Sequence, residues 1–146
     1  MITFADVVGD DTAGTGNGDL GGYVEDEDNL DQTLPVLVGT NWTNSSWLYD
    51  NAKSYRRATV RDNARLYNEA YVKDRFDACD DAIMRDCSIG MDRGEIRNSA
   101  EMSGESEIRN RGKLIGSGKM FDNAILGGSQ ILAHGFINRN TLLDGT

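Results

Sequence analysis

The sequence has no long apolar run, and its longest aliphatic stretch is the PVLV at positions 35–38. A membrane-spanning helix needs about 18 or more apolar residues, so we expect no membrane span. The first residues, MITFADVVGDD, also lack the basic start and the apolar core of a signal peptide. These absences predict that the protein has no membrane partner.

Lysine and arginine are absent from residues 1–46, which carry nine Asp and Glu residues. The other 15 acids and all 15 bases follow Ser46 and cancel, so the net charge of −9 belongs to the first third of the chain. A protein with this charge repels phosphate groups and anionic lipid surfaces. We therefore expect that nucleic acid is not a general ligand.

Cysteine and histidine are scarce, since the chain has only Cys79, Cys87 and His134. The two cysteines do not form a metal-binding spacing. The sequence predicts no metal site and no other cofactor.

What the sequence does contain is a six-residue repeat. Divided into words of six from Trp47, it begins WLYDNA KSYRRA TVRDNA RLYNEA and continues to Leu142, which gives 16 words. Position two is Leu, Ile, Val or Met in 12 words, position six is Ala, Ser or Gly in 12, and position four is Asp, Asn or Gly in 14. An amphipathic helix would repeat with a period near 3.6, so the period of six argues against a helix in this region.

The letters of the word indicate a short strand followed by a corner. Positions six, one, two and three fit a strand, in which alternate side chains point to opposite sides. Small position six and large position two then point inward, while positions one and three point outward. Asp, Asn and Gly at position four suit a corner, because they tolerate left-handed backbone and can bond nearby amides. A single coil built from such words has no core of its own, so the coils must stack into a β-solenoid.

This spacing resembles the hexapeptide repeat of left-handed parallel β-helix proteins, from Trp47 to the C-terminus. The resemblance implies an all-β, single-stranded, left-handed solenoid of about five coils, with three words in each triangular coil. The stretch GDLGGYVEDEDNL, followed by WLYDNA, more closely resembles the opening of short solenoid proteins from bacteria, phages and prophages. The chain is thereby divided into an irregular acidic N-terminal cap, residues 1–46, and a solenoid, residues 47–146. The inserted TLPVLVGTNWTNS predicts a longer cap than usual.

Some words break the inward pattern. The large residue at position two is missing from four words: Ser54, Ala78, Gly90 and Asn138. The small residue at position six is missing from four words: Phe76, Gln130, Phe136 and Leu142. Phe76 and Ala78 lie close together and predict a large-for-small exchange that preserves core volume. Because each coil takes three words, one interior column is predicted to contain Leu48, Leu66, Met84, Met102, Met120 and Asn138.

The start of the solenoid is rich in basic and aromatic residues, which predicts contacts with the acidic cap. Seven bases lie between Lys53 and Arg75, with tyrosines among them. Such a zone could hold single-stranded nucleic acid by stacking and charge. We favour masking by the acidic segment instead, with Gly21 and Gly22 allowing close backbone approach. The predicted cap contacts are Tyr23, Trp42, Trp47, Tyr49, Arg56, Arg57 and Arg61.

Candidate chemical sites are few. His134 is the residue that an acyltransferase of the resembling family would need as a general base, but it occupies a corner position. Stacked corner carboxylates, Asp62 beside Asp80 and Asp74 beside Asp92, have the oxygen ligands that calcium prefers. They more often bond their own turn. A disulfide between the two cysteines is excluded by the solenoid geometry, because roughly a strand length of over 10 Å separates them. No catalytic residue is predicted.

Outward positions become apolar near the C-terminus, which predicts an interface there. The predicted interface residues are Ile115, Phe121, Ile125, Ile131, Ile137 and Leu143. The final coil also presents unpaired backbone groups that a partner would cover. Three modes of assembly are open: a trimer around a threefold axis, an end-to-end pair, and docking on another protein. We favour the trimer, because closed symmetry is common among soluble chains.

The combined interpretation is a non-enzymatic structural or interaction module. The resemblance implies a phage or prophage origin, in which virion decoration or attachment would suit a stiff rod, and leaves the location open between host cytoplasm and virion. Two other functions compete with this one. The first is an anti-defence inhibitor whose acidic segment imitates nucleic acid and binds a host protein. The second is a hexapeptide-repeat acyltransferase.

Overall fold

The computed structural model describes residues 5–9, 19–25, 29–30, 37–38, 41–42, 46–138 and 142–143. Side chains are described for residues 22–25, 29–30, 46–138 and 142. In this part of the chain no helix has the length and apolar character of a membrane span. The described residues form an all-β parallel solenoid of about five turns.

The strands follow one another along the chain. The first four are β1 Ala5–Gly9, β2 Asp19–Val24, β3 Leu37–Val38 and β4 Asn41–Trp42. The next nine are β5 Trp47–Leu48, β6 Lys53–Ser54, β7 Thr59–Val60, β8 Arg65–Leu66, β9 Tyr71–Val72, β10 Asp77–Ala78, β11 Ile83–Met84, β12 Ile89–Gly90 and β13 Glu95–Ile96. The last eight are β14 Glu101–Met102, β15 Glu107–Ile108, β16 Lys113–Leu114, β17 Lys119–Met120, β18 Ile125–Leu126, β19 Ile131–Leu132, β20 Phe136–Ile137 and β21 Leu142–Leu143.

Every third strand pairs in parallel, so three sheets form the sides of the solenoid. Face 1 has the order β1-β2-β6-β9-β12-β15-β18-β21, face 2 the order β7-β10-β13-β16-β19, and face 3 the order β5-β8-β11-β14-β17-β20. The corner that follows face 1 is named edge 1, the corner after face 2 edge 2, and the corner after face 3 edge 3. Strands β3 and β4 form a separate antiparallel pair.

Corner geometry explains the choice of residue at position four. The backbone there is left-handed in every corner from Asp50 to Gly128, with φ between 54° and 66°. Most of these residues are Asp, Asn or Gly, which adopt that conformation at the least cost. Arg56, at φ 59°, is the exception.

The interior is a continuous apolar column along each face. Leu48, Leu66, Met84, Met102 and Met120 are all essentially inaccessible to solvent on face 3. Backbone pairing places each of them against its neighbour one coil away. These five members of the predicted column are therefore confirmed.

The prediction that Asn138 is the sixth member of that column is wrong. Met120 pairs with Ile137, and Lys119 pairs with Phe136, so the offset between coils is one residue shorter here than in the preceding coils. The word that begins at Ile131 has five residues, and Gly135 supplies its left-handed turn at φ 85°. Because side chains alternate along a strand, this one-residue shift moves Ile137 inward and Phe136 outward.

Phe76 accounts for the missing side chains at two glycines. A Cβ added at Gly90 would lie 2.5 Å from Cε1 of Phe76, and one added at Gly94 would lie 2.7 Å from Cγ2 of Ile108 and 2.9 Å from Cε2 of the Phe76 ring. The ring is fully buried. The predicted large-for-small compensation between Phe76 and Ala78 therefore also includes Gly90 and Gly94 on the next coil, which leave room for the ring.

The solenoid begins before Trp47. Tyr23 and Val24 of β2 pair in parallel with Lys53 and Ser54, and Leu30 forms a parallel bridge with Val60. The spacing between Val24 and Leu30 is that of one word. Strand β1 pairs antiparallel with β2 and forms the outer edge of face 1.

Candidate functional site

Three exposed apolar side chains surround the C-terminal end of the solenoid. They are Ile131 on face 2, Phe136 on face 3 and Leu142 on face 1, with 60%, 67% and 56% of their surface exposed. Each belongs to the last described strand of its sheet. We name these three residues the C-terminal rim.

The rim overlaps only in part with the interface predicted from the sequence. Ile131 is exposed, whereas Ile115, Phe121 and Ile125 are half-buried. The ring of Phe121 stacks on that of Phe136, with centroids 5.7 Å apart. Phe121 is thus covered by a residue of the next coil.

The other two predicted interface residues, Ile137 and Leu143, pair through their backbones with Met120 and Leu126 of the preceding coil. Ile137 packs against the core cluster, which corrects its predicted outward orientation. Leu143 pairs through its backbone with Leu126 of the inward column of face 1, and its side chain lies outside the described residues.

Sequence reasoning missed Phe136 and Leu142 as outward residues, because it assumed an unbroken frame of six. The signal that could have shown this is that several departures from the repeat occur together after Leu132. If the word that begins at Ile131 is given five residues instead of six, Gly135 takes position six. Phe136, Asn138 and Leu142 then leave the positions where they broke the pattern.

The N-terminal segment docks on the first coil through buried hydrogen bonds. The Asn29 side-chain nitrogen donates to the carbonyl oxygens of Arg56 and Ala58, at 2.9 Å each. The Ser54 hydroxyl donates to the Asn29 carbonyl at 3.1 Å. Both side chains are fully buried, so the polar residue at Ser54 is part of this junction.

Two further contacts bring the segment close to the solenoid. The Tyr23 amide donates to the Ala52 carbonyl at 2.8 Å. A Cβ added at Gly22 would lie 2.2 Å from that same oxygen. The absence of a side chain at Gly22 therefore permits the close backbone approach that was expected of it.

The predicted cap contacts at arginine differ among themselves. Arg56 meets the segment, since the carboxylate of Glu25 accepts a hydrogen bond from its backbone amide. The Arg61 guanidinium instead pairs with Asp77 in the next coil, at 3.0 and 2.8 Å. This bidentate bond holds the pKa of Arg61 above its usual range. Arg57 is exposed on edge 1.

The aromatic cap contacts are placed as follows. Trp47 is fully buried in the core cluster, although position one points outward elsewhere. Tyr49 packs against that cluster and stacks on Tyr67, with centroids 4.4 Å apart. Tyr23 is half-buried. Trp42 lies in β4, and its side chain is outside the described residues.

The tyrosines of the basic zone form two separate pairs. Tyr49 and Tyr67 lie on face 3, while Tyr55 and Tyr71 lie on face 1 with centroids 6.0 Å apart. Burial raises the pKa of Tyr55, as does its neighbour Tyr71. The rings of each pair stack on each other, and the two pairs lie on different faces of the solenoid. The four tyrosines therefore do not form one row on which successive bases could stack.

His134 lies on an exposed corner beside Ser117. The hydroxyl oxygen of Ser117 and Nδ1 of His134 are 3.0 Å apart. A serine nucleophile needs a base of this kind, and the base in turn needs a third group to orient it. Among the described residues no such group bonds to His134. The corner therefore presents a hydrogen-bonded pair and not an assembled triad.

Three groups on edge 2 come within metal-binding distance of one another. The ligand atoms of Asp62, Cys79 and Asp80 all lie within 4.8 Å. Burial, with a contribution from Asp77, raises the pKa of the Cys79 thiol to about 12. Metals bind the thiolate, so a metal at this position would have to displace the proton of the Cys79 thiol.

The stacked corner carboxylates are engaged in bonds between coils. Asp62 accepts from the amide of Asp80 at 3.4 Å, and Asp92 accepts from the amide of Asn110 at 2.9 Å. Their partners are thus the turns of the next coil, whereas the sequence had suggested their own turns. Cys79 is buried and Cys87 exposed, and both are free thiols.

Comparison with known proteins gives no family for this chain. No protein family, no curated protein and no solved structure shows a significant match to it.

Proposed function

We propose that this protein is a non-enzymatic structural module that self-associates end to end through its C-terminal rim. The observation that carries the proposal is the position of Ile131, Phe136 and Leu142, one exposed apolar residue on each face of the last coil. A contact along one side of the solenoid would leave at least one of them in water. A contact across the end covers all three.

The energetics support association when most of the rim is covered. Complete burial of a large apolar side chain contributes roughly 1.5–3 kcal/mol. A symmetric pair buries the rim twice, and this total is comparable with the cost of association, about 4–15 kcal/mol. Pairing of the last strands would add hydrogen bonds and remove an exposed sheet edge, which otherwise invites aggregation. An isologous pair is also the commonest closed arrangement.

A phage or prophage origin is part of the same proposal. The resemblance of GDLGGYVEDEDNL to the opening of phage and prophage solenoid proteins supports an origin of that kind. A stiff rod that joins at one end suits a virion decoration or attachment part. The left hand of the coil is a prediction from the hexapeptide resemblance.

Light scattering coupled to gel filtration tests the assembly. We expect the wild type to be a dimer, and Ile131→Ser/Phe136→Ser to be a monomer. The matched control is Lys113→Ser/Lys119→Ser, because these lysines pair with the rim residues one coil earlier on the same two faces. The control variant is expected to remain a dimer.

Other outcomes would overturn the proposal in distinct ways. A wild type that stays monomeric at high concentration excludes self-association through the rim. A trimer indicates lateral packing around a threefold axis. A partner captured by the wild type through residues 1–46 favours the anti-defence inhibitor, and a thermal shift with acyl-CoA that His134→Ala abolishes favours the acyltransferase.

A further inference from the structure

Position five of edge 1 is arginine in four consecutive coils. The residues are Arg57, Arg75, Arg93 and Arg111, and all four side chains are exposed. We name them the arginine ladder. The backbone amide of each bonds to the position-four carbonyl of the next coil, at 2.7 or 2.8 Å. The ladder therefore repeats with the strand spacing of about 4.7–4.9 Å and extends over roughly 14 Å.

The corner itself does not require arginine. Position five of edge 2 contains Asn63, Asp81, Ser99 and Ser117, and that of edge 3 contains Asn51, Glu69, Cys87, Glu105 and Asn123. The backbone bonds at those corners are the same, for example from Asn63 to Asp80 at 2.8 Å. Lysine and arginine are absent from position five on both edges. Because equivalent turns accept Asn, Ser, Asp and Glu, the ladder needs an explanation other than folding.

The ladder is not neutralised by its own corner. Within residues 46–138, no ladder guanidinium makes an ion pair or a side-chain hydrogen bond. Of the two acids in the corner, Asp74 pairs with Arg56 and Asp92 accepts from the Asn110 amide. Like charges stacked in this way repel one another. An anionic ligand would remove that repulsion.

The ladder and the position-four residues line an open groove of about 990 Å³. None of its lining side chains is aromatic or aliphatic. The groove offers guanidinium donors in a row, and beside them the carboxylates of Asp74 and Asp92 as acceptors. A ligand that fits it has repeated anionic groups together with hydrogen-bond donors.

We infer that this groove binds a linear acidic polysaccharide. Each sugar of a uronate chain has a carboxylate, which a guanidinium binds through two parallel hydrogen bonds. Its hydroxyl groups can donate to Asp74 and Asp92. Polyphosphate has no hydrogen-bond donors for these carboxylates, whereas a uronate chain has its hydroxyl groups. Single-stranded nucleic acid is held largely by aromatic stacking, and the groove has no aromatic side chain.

The proposal is independent of end-to-end association. The ladder lies along one edge, whereas Ile131, Phe136 and Leu142 lie at the end of the solenoid. Variants of the ladder are therefore expected to keep the oligomeric state of the wild type, so the two proposals can fail separately.

Binding of a 1,4-linked oligogalacturonate, measured by calorimetry at low salt, tests the inference. The ladder variant is Arg75→Ser/Arg93→Ser, since Ser99 and Ser117 already occupy the equivalent position of edge 2. The control is Arg85→Ser/Arg97→Ser, which removes the same charge from arginines paired on other faces. We expect the ladder variant to bind at least about tenfold more weakly, because charge-assisted hydrogen bonds are the strong ones, and the control to bind like the wild type.

The probes also separate the ligand classes. A carboxyl-reduced oligomer of the same length should not bind, and added salt should weaken oligogalacturonate binding. Failure of the wild type to bind oligogalacturonate, or an equal loss in both variants, overturns the inference. Tighter binding of inorganic polyphosphate or of oligothymidylate than of oligogalacturonate overturns the assignment to a polysaccharide.

Discussion

The ring of Phe76 fills the space that a side chain at Gly90 would need. The separation is 2.5 Å from an added Cβ to Cε1 of the ring, far below an ordinary contact. Two departures from the repeat, one at position six and one at position two, thus compensate each other across a coil boundary. This relationship can be tested by reversing it.

We predict that Phe76→Ala/Gly90→Val is more stable than Phe76→Ala alone. The single Phe76→Ala change should cost about 3–5 kcal/mol, because it leaves a cavity in a fully buried site. Gly90→Val alone should also destabilise, since the ring has no room to move away. Chemical denaturation of the three variants measures the coupling between the two sites.

Gly112 provides the control for this cycle. A Cβ added there would lie 2.5 Å from the carbonyl oxygen of Leu126, which belongs to the backbone. Phe76→Ala should therefore give no relief to Gly112→Val. Additive effects at Phe76 and Gly90 would contradict the proposed compensation.

A second prediction concerns the junction at Asn29. Replacing Asn29 by Ala removes the donor to two carbonyl oxygens in a buried site, and it should lower the free energy of unfolding by about 1–3 kcal/mol. The comparison is Asn63→Ala, whose hydrogen bond to Asp81 lies at the surface, where substitutions usually change stability by less than about 0.5 kcal/mol. Equal melting temperatures for the two variants would show that the N-terminal segment does not stabilise the first coil.

A third prediction concerns pH. Burial alone would raise the pKa of the Asp74 carboxyl, but the hydrogen bonds from Arg56 and the Asp92 amide outweigh it and hold the pKa below its ordinary value near 3.8. A lowered pKa in the folded state stabilises the fold above the ordinary pKa, and this contribution disappears as the pH falls through the lowered value. We therefore expect the stability difference between wild type and Asp74→Asn to be present at neutral pH and to vanish in acid.

The effect at Asp74 should be small, because about half of the Arg56 side chain is exposed and water screens the pair. Arg56→Ser supplies the second side of the cycle, since the Asp74→Asn difference should shrink when the guanidinium is absent. Melting temperatures between about pH 2 and pH 7 span the ordinary carboxyl pKa. A difference that grows toward low pH would have the wrong sign.

The repeat predicted the solenoid and most of its interior because each inward position depends on local chemistry. Ala at position six and Leu, Val or Ile at position two recur with a period that only stacked coils can bury. The sequence failed where the period changed. In the sequence, the five-residue word at Ile131 looks like a six-residue word whose residues do not fit the pattern. Only the backbone pairing shows that Gly135 closes the corner.

The arginine ladder was missed for a different reason. Reading along the chain grouped Arg57 and Arg75 with nearby bases as one zone, whereas the coil groups them with Arg93 and Arg111 on edge 1. The signal was present in the sequence at position five of every third word. The junction at Asn29 could not be predicted in the same way, because its partners are backbone carbonyls of a distant segment.

The five-residue word at Ile131 also marks the end of the region in which the number of coils could change without a change of register. Between Trp47 and Gln130 every word has six residues, so a coil copied there, away from the Phe76–Gly90 contact and the docked N-terminal segment, would keep the register of its neighbours. Each added coil would lengthen the rod by about 4.7–4.9 Å and would extend each edge by one residue pair. Reach is therefore a modular property of this protein, separate from the structures that begin and close the rod.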